Sequence, residues 1–545
     1  MHTRRPWWLI SLLTLLGGTL VAVAVWNLER AQDGVSIETL RIGETPATAF
    51  SPARPAPGDE RPPVIVIAHG FAGSQQLMRS FALSLAKSGY RTVTFDFLGH
   101  GRNAEPLTGD ITTDSGATQA LLAQLEAVVA EVRAGQGDEA AFGTLGHSMA
   151  TDILVRFSQQ PPIPTATVAV SLYSQEVTPQ APRNFLVIVG DLEGGLLKDQ
   201  ALDAVAQVAG ERRIEVSQTI GRFDAGSARR AVFAPGVEHI SVLYSGEAMT
   251  ESVRWFDQAF GAAGPAAGEE RVPEVVTRGP WIGLLFAGLV VLAWPLTALL
   301  PRVVDQPGGA GLSWAQLWKP LTAAALLTPL ALTPFPTDIL PLLVGDYLGL
   351  HFALFGLITY VGTGLVRTHH PDPDAPVHWP ALLLATVLVT GYAVAVFGLA
   401  IDRYVTAFVP IFERLPVLLA ILAGTLAFFV IVEWTTRGTQ RPRSDRQRLG
   451  ANAARDGARA RVIPRVSPYS GALALFLLSL ALAVILNFAE LFFLIIILPA
   501  ILAFLIVFGL ISHWSYRQTG SPIVGAIANA ALFAWALASV FPLLG

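Results

Sequence analysis

Apolar residues follow two different patterns along the chain, and the change between them divides it into two parts. Residues 27–275 carry short β-branched and aromatic runs that alternate with amphipathic helical stretches. That alternation is typical of an α/β domain with a mostly parallel sheet and flanking helices. From residue 280 to 545 the apolar runs are long enough to cross a bilayer, which takes about 20 helical residues. We expect about eight spans there, near residues 281–300, 319–336, 339–366, 380–400, 415–434, 471–487, 489–512 and 521–543.

Another apolar run precedes the α/β domain. Trp7 to Trp26 contains 20 residues without a charge, and Arg4 and Arg5 stand before it. Tryptophan favours the membrane–water interface and basic residues favour the cytoplasmic side. The run therefore predicts a transmembrane anchor at residues 7–26 behind a cytoplasmic N-terminus at residues 1–6. The alternative is a cleaved signal peptide, although the apolar core of such peptides is shorter, about 7–15 residues.

Two of the predicted connections between spans are unusual. Pro334, Pro336 and Pro341 break any helix between the second and third spans, so a re-entrant segment is the alternative to a simple turn there. Asn487 and Glu490 lie between two late spans, where we expect a hairpin turn.

Composition agrees with a protein that lies largely in lipid. The 545 residues are 52% hydrophobic and 14% charged, and their mean hydropathy is +0.50. The net charge of −4 gives no indication of a nucleic-acid partner. The chain has no cysteine, which excludes disulfides, thiolate metal sites and a cysteine nucleophile. No spacing of histidines and carboxylates resembles a metal site, and we expect neither metal nor cofactor.

Arginine is concentrated in one loop of the membrane part. Residues 435–470 contain nine arginines and two aspartates. Basic loops remain on the cytoplasmic side, so this loop and those at 301–318, 367–379 and 513–520 are predicted to lie inside. The α/β domain is then extracytoplasmic on a bacterial-type inner membrane. An alternative role for the loop is to bind anionic membrane lipids.

A serine between small residues is the first candidate for chemistry. The stretch "AAFGTLGHSMATDILVRF" predicts a strand, a sharp turn at Ser148 and an amphipathic helix. In such a turn the serine adopts a strained conformation that raises its hydroxyl above the sheet, and Gly146 lets strand and helix approach closely. Ala150 stands where a turn motif of this kind usually has glycine. Alanine suffices there unless the position needs a positive φ.

The other candidate residues also follow predicted strands. The strand from Val64 to Ala68 ends in "HGF", where Gly70 permits close approach of the backbone and His69 shapes the loop by hydrogen bonds. The amides of Phe71 and Met149 would then donate to an oxyanion. His239 follows the strand of "AVFAPGVEH" and is the candidate base.

A strand that ends in "VGDLEG" offers two carboxylates, Glu193 and Asp191. Either could orient the imidazole of His239, and the longer glutamate is favoured. Ser148 and Glu193 are 45 residues apart, and Glu193 and His239 are 46 apart. These intervals leave no room for an inserted lid, so we expect a site that is open toward the membrane or the solvent.

In chain order these motifs resemble the α/β-hydrolase family, and within it the capless esterase, lipase and dienelactone-hydrolase-like members. The resemblance covers roughly residues 35–260 and includes the stretch "DFLGHG" at residues 96–101. It implies the order nucleophile, acid, histidine, with the acid three residues after Gly190. That position is Glu193, and Asp191 is the alternative. The membrane part resembles no family.

These observations lead to three hypotheses of function. The first is a membrane-anchored serine hydrolase that cleaves an acyl ester or a lipid-like substrate near the bilayer. The second is an acyltransferase that uses the same acyl-enzyme. The third is a transporter or assembly scaffold whose hydrolase-fold domain only binds. The sequence predicts neither the acyl group nor the oligomeric state.

Overall fold

The chain combines an eight-stranded sheet, flanked by helices, with a bundle of long apolar helices. A computed structural model describes residues 6–54, 62–109, 116–134, 140–210, 214–261, 272–366, 376–438 and 467–545. Most of the arginine-rich loop, residues 439–466, lies outside the described residues, as do residues 1–5 of the predicted N-terminal segment.

The sheet has the order β1-β2-β4-β3-β5-β6-β7-β8. The strands β1 and β2 pair antiparallel, β2 pairs antiparallel with β4, and every other pair is parallel. The carboxyl ends of the parallel strands therefore meet at one edge. The strands are β1 Val35–Ile42, β2 Thr45–Pro52, β3 Val64–Ala68, β4 Arg91–Phe95, β5 Phe142–His147, β6 Ala166–Val170, β7 Phe185–Gly190 and β8 Arg229–Ala234.

Helices cover both faces of this sheet. Strand β3 is apolar at every position because it is buried on both sides, as parallel strands usually are. Its Ile65 and Ile67 belong to one buried cluster, and its Val64 and Val66 belong to another on the opposite face. The predicted α/β-hydrolase-type fold is confirmed. The flanking helices are α2 Arg79–Lys87, α3 Ala117–Arg133, α4 Met149–Phe157, α5 Gly195–Ala209 and α6 Gly246–Phe260.

The remaining helices form the apolar bundle. Among the described residues, eight helical segments are long and apolar enough to cross a membrane. The bundle comprises α1 Trp7–Arg30, α7 Gly279–Thr297, α8 Trp314–Leu332, α9 Gly345–Val366, α10 Trp379–Gly391 continued by a π-helical turn into α11 Gly398–Tyr404, α12 Leu415–Thr436, α13 Pro468–Leu486, α14 Phe488–Leu491, α15 Phe493–Thr519 and α16 Pro522–Val540.

Helix α8 is the one predicted span that is not among those eight segments. It contains Lys319, Pro320 and Pro329 and is less apolar than its neighbours, yet it has 19 residues and packs on α9 and α13.

The position of the C-terminal tail indicates whether α8 crosses. The tail after α16, which contains Leu543, contacts the hydrolase domain, so the tail and that domain lie at the same end of the bundle. A chain that leaves the hydrolase domain and comes back to the same end of the bundle must cross the membrane an even number of times. Seven of the eight apolar segments follow that domain, so the number of crossings is even only if α8 also crosses.

The N-terminal helix α1 is an integral part of the bundle. A Cβ atom at Gly17 would lie 2.7 Å from the Leu292 side chain of α7, and one at Gly288 would lie 2.9 Å from the Val21 side chain. Small residues at such contacts let two membrane helices pack closely. At the other end of α1, the Arg403 guanidinium donates to the Glu29 carboxylate at 3.1 Å. Helix α1 therefore packs as one of the helices of the bundle.

The described ends of the four connections that we predicted to lie inside meet at one end of the bundle. The Val303 amide donates to the Thr519 carbonyl at 2.9 Å, and the His378 amide donates to the Val303 carbonyl at 3.0 Å. The Gly311 amide donates to the carbonyl of Arg437, which begins the arginine-rich loop. The hydrolase domain lies at the opposite end.

The contacts that attach the hydrolase domain to the bundle include three polar sets. The Leu543 amide donates to the Gly99 carbonyl, and the Leu107 amide donates to the Leu543 carbonyl, both at 2.8 Å. The Arg102 guanidinium pairs with the Asp402 carboxylate at 2.6 Å. Arg414 is fully buried and donates to the carbonyls of Gly99 at 2.6 Å and of Ala538 and Phe541 at 2.7 Å. One guanidinium therefore holds both domains.

Replacing Arg414 with methionine should loosen this joint. Methionine fills similar space but removes the guanidinium donor from the carbonyls of Ala538 and Phe541, each costing about 1–3 kcal/mol, while the Gly99 carbonyl keeps the Leu543 amide. We expect Arg414→Met to lower the thermal unfolding midpoint in nanodiscs and to speed trypsin cleavage between the domains. The control is Arg254→Met on α6, where the side chain is 56% exposed. Equal midpoints and cleavage rates in the two variants would show that the guanidinium does not hold the joint.

Candidate active site

Ser148 occupies the turn between β5 and α4 in a strained backbone conformation. Its φ is 54° and its ψ is −121°, a region that residues other than glycine rarely adopt. A Cβ atom at Gly146 would lie 2.7 Å from the Leu154 side chain, which explains the need for glycine there. Ala150 lies buried inside α4, and no positive φ is seen at that position. The missing glycine of the motif is therefore not required.

The structure brings Ser148, His239 and Glu193 together in one hydrogen-bonded chain. The His239 Nε2 atom lies 2.9 Å from the Ser148 Oγ atom, and its Nδ1 atom lies 2.5 Å from Glu193 Oε2. Because a carboxylate only accepts, Nδ1 carries the imidazole proton and Nε2 is left to accept from the serine. In this arrangement the imidazole can take the hydroxyl proton while the carboxylate stabilises the resulting charge.

Further donors fix the carboxylate. Glu193 Oε1 accepts from the Ser171 hydroxyl at 2.8 Å and from the Gly190 amide at 2.7 Å. The residue is 7% exposed, and the donors come from the ends of β6 and β7. Sequence reasoning missed Ser171, because no spacing connects it with Glu193.

The alternative acid, Asp191, has a different place. Its Oδ1 atom accepts from the Gly236 amide at 2.7 Å and holds the turn that follows β8. The residue is exposed. The structure thus brings Glu193, and not Asp191, to the imidazole of His239.

The backbone after β3 approaches the serine closely. A Cβ atom at Gly70 would lie 3.0 Å from both the His147 carbonyl oxygen and the Ser148 Cβ atom. The amide of Phe71 directly follows Gly70, and the amide of Met149, the first of α4, directly follows Ser148. Among the described residues neither amide donates to a protein acceptor. Free donors at a helix N-terminus are suited to an oxyanion.

The loop that carries Gly70 is held by hydrogen bonds of His69. The His69 Nδ1 atom donates to the Gly70 carbonyl at 2.8 Å, and Nε2 accepts from the Phe97 amide at 3.1 Å. Asp96 orders the next loop, because its carboxylate accepts from the amides of Gln75 at 2.8 Å and Arg102 at 3.1 Å.

His147 has a role that the sequence did not indicate. Its Nε2 atom donates to the backbone carbonyl of His239 at 2.9 Å, and the two ring centroids are 4.8 Å apart. The contact positions the loop that carries His239, and it joins residues 92 apart, so no local pattern could reveal it.

Three buried histidines around the site remain neutral. Burial lowers the pKa of His147 well below its usual value, and the neighbouring His239 lowers it further. Burial lowers the pKa of His100 to about 3. The pKa of His69 is also lowered by burial, against the opposing attraction of Asp96.

The site is covered on one side, contrary to the open site that we expected. The Phe71 ring stacks on the Phe493 ring of the bundle with centroids 4.0 Å apart. The described part of the hydrolase domain contains no inserted lid, and the bundle provides the cover. This contact joins residues more than 400 positions apart, beyond any local sequence signal. Within the parts of the chain that the structure describes, no group of three or more histidines and carboxylates could hold a metal ion.

Comparison with known proteins supports the fold. Residues 63–189 match the sequence model of the alpha/beta hydrolase fold, which confirms the resemblance in that segment. Among solved structures, an epoxide hydrolase from Vigna radiata is 12% identical, with coverage of 41% of this chain and 98% of that one and a TM-score of 0.29.

Two other solved structures are similar at the same level. A thioesterase domain from the curacin biosynthetic pathway is 15% identical, with coverage of 41% and 98% and a TM-score of 0.27. A bacterial membrane phospholipase A is 14% identical, with coverage of 45% and 92% and a TM-score of 0.30. No curated protein matches the chain.

The backbone strain at Ser148 can be measured as a difference in folding stability between two variants. Glycine adopts this backbone conformation freely, whereas alanine keeps the strain of serine. We expect Ser148→Gly to unfold at a higher temperature than Ser148→Ala, with a difference of about 1 kcal/mol after the greater freedom of glycine in the unfolded chain is allowed for. Thermal melts of both purified variants test this. A less stable glycine variant would contradict the strained turn.

The neutral histidines predict a loss of stability in acid. Their folded pKa values lie below the usual 6.5, so between those values the unfolded chain binds more protons. Stability is therefore retained above about pH 6.5 and falls below it, by up to about 1.4 kcal/mol per pH unit for each histidine. Melts of wild type between about pH 5 and 7.5 measure this slope.

A variant isolates one of these groups. His100→Gln should reduce the slope of the unfolding free energy against pH by the contribution of about one proton. His378→Gln, at an exposed position, should leave that slope unchanged. If both variants keep the wild-type slope, burial of neutral His100 is not a source of the acid sensitivity.

Proposed function

We propose that the protein is a serine hydrolase that cleaves an acyl ester, with Ser148 as nucleophile. The observation that carries the proposal is the hydrogen-bonded chain from Ser148 Oγ through His239 to Glu193. The strained turn supports it, because a strained serine persists where function requires it. A domain that only binds has no need of this chain, so the scaffold hypothesis is less well supported.

The reaction proceeds in two steps. His239 Nε2 accepts the Ser148 proton while Oγ attacks the ester carbonyl, and the amides of Phe71 and Met149 stabilise the oxyanion. The bond to the alcohol then breaks, and His239 returns the proton to the leaving oxygen. In the second step water gives a proton to His239, attacks the acyl-enzyme and releases the acid, and the proton returns to Ser148.

Acyl transfer is the second candidate function. Ser148 is only 7% exposed and the bundle covers one side of it, which limits the access of water to an acyl-enzyme. An alcohol or amine acceptor would then resolve the intermediate. Turnover that depends on an added acceptor, with negligible hydrolysis without it, would identify this version.

The orientation in the membrane is also a proposal. The connections that meet at the end away from the hydrolase domain include Arg437, where the arginine-rich loop begins. Basic loops remain in the cytoplasm. We infer that the hydrolase domain faces the extracytoplasmic side of a bacterial-type inner membrane.

Activity-based labelling tests nucleophile and side together. A membrane-impermeant fluorophosphonate should label wild type in spheroplasts and should fail to label Ser148→Ala. Labelling of wild type that occurs only in inverted membrane vesicles would place the hydrolase domain in the cytoplasm. Full labelling of Ser148→Ala would remove Ser148 from the mechanism.

The two carboxylates provide a matched pair of variants. Glu193→Gln should lower kcat/KM for an activated ester by about 10³–10⁴-fold, because the amide no longer fixes the imidazole in its basic tautomer. Asp191→Asn removes a charge two residues away that does not contact His239, and we expect activity within about twofold of wild type. The reverse order of these effects would make Asp191 the acid.

A further inference from the structure

The cover over the candidate site is a defined piece of the bundle. Residues 487–493, here called the roof segment, link α13 to α15 and contain the short helix α14. The Asn487 side chain closes the turn by donating to the Glu490 carboxylate at 2.6 Å, which confirms the predicted hairpin. The rings of Phe492 and Phe493 lie against each other with centroids 3.8 Å apart.

This ring pair spans the sheet edge on both sides of the nucleophile. Phe493 stacks on Phe71, which follows β3, with centroids 4.0 Å apart. Phe492 stacks on Tyr173, which follows β6, with centroids 6.1 Å apart. Ser148 follows β5, and β5 lies between β3 and β6 in the sheet. The two rings therefore form an apolar wall over the position where an acyl group would join Ser148.

The opposite side of the site has an apolar rim. Leu192, beside Glu193, is 66% exposed, and Ile240, beside His239, is 37% exposed. Leu196, at the start of α5, is 64% exposed. All three follow β7 or β8, on the side that the roof segment does not cover. Large apolar side chains grouped at a site entrance indicate an apolar ligand or a lipid surface.

We propose that the roof segment and this rim hold the hydrocarbon chain of an acyl ester carried by a membrane lipid, a substrate that enters from the bilayer beside the domain. The inference rests on the proposed function and names its substrate class. The ester carbonyl would lie at Ser148 and the chain between Phe492 and Leu192. The alcohol that leaves is then the rest of the lipid. A short soluble ester would use neither surface.

Chain-length selectivity tests the proposal. Full-length protein in phosphatidylcholine nanodiscs is assayed with 4-methylumbelliferyl oleate and 4-methylumbelliferyl acetate. Wild type should prefer the oleate in kcat/KM. Phe492→Ala and Leu192→Ser each remove apolar contact with the chain, and each should lower the oleate-to-acetate ratio by about tenfold. Since Leu192 is exposed, its variant tests the site even if Phe492→Ala folds poorly.

The control is Phe412→Ala, a phenylalanine of the bundle that is 81% exposed and lies two residues before Arg414, which contacts the hydrolase domain. It should leave the ratio within about twofold of wild type. Equal losses on both esters in the Phe492 and Leu192 variants, or a wild type that prefers acetate, would overturn the lipid substrate and leave the serine hydrolase standing. A wild-type Ser148 that no fluorophosphonate labels would remove the proposed function itself.

Discussion

The common carboxyl edge of the parallel strands is the constraint on which the site depends. Parallel strands must all end on the same side, so residues that follow β3, β5, β7 and β8 meet there although they are far apart in the chain. Ser148 and His239 are 91 residues apart, yet their side chains lie within hydrogen-bond distance. The strained turn at Ser148 then raises the hydroxyl above that edge, where the imidazole can reach it.

The same edge faces the bundle, and this relation connects the chemistry with the membrane. Arg414 and the tail at Leu543 hold the loop that begins at Gly99, which follows β4. Because that loop is bonded through His69 and Asp96 to the backbone around Gly70, the bundle and the candidate oxyanion donors form one continuous packed structure. A shift of the roof segment would displace Phe71, because the Phe493 ring stacks directly on the Phe71 ring. The bundle is thus a structural component of the candidate site.

Local patterns predicted the parts of the protein that local forces determine. Buried strands appear as apolar runs, and the turn at Ser148 appears as small residues between a strand and a helix. Sequence spacing narrowed the candidates for the acid that orients His239 to two carboxylates, Glu193 and Asp191. The direction in which each side chain points after Gly190 decides between them. The roles of His147, Ser171 and the roof segment depend on contacts across 22 to more than 400 positions. Helix α8 was predicted as a span, and only the position of the C-terminal tail supports its crossing.

The most direct test of this account is an experimental structure of the full chain in a nanodisc after reaction with a long-chain alkyl fluorophosphonate. We predict phosphorus bonded to Ser148 Oγ, one phosphoryl oxygen within hydrogen-bond distance of the amides of Phe71 and Met149, and the alkyl chain between Phe492 and Leu192. An adduct on another residue would contradict the assignment of the nucleophile. A chain that points into solvent, away from the roof segment, would contradict the lipid-facing site.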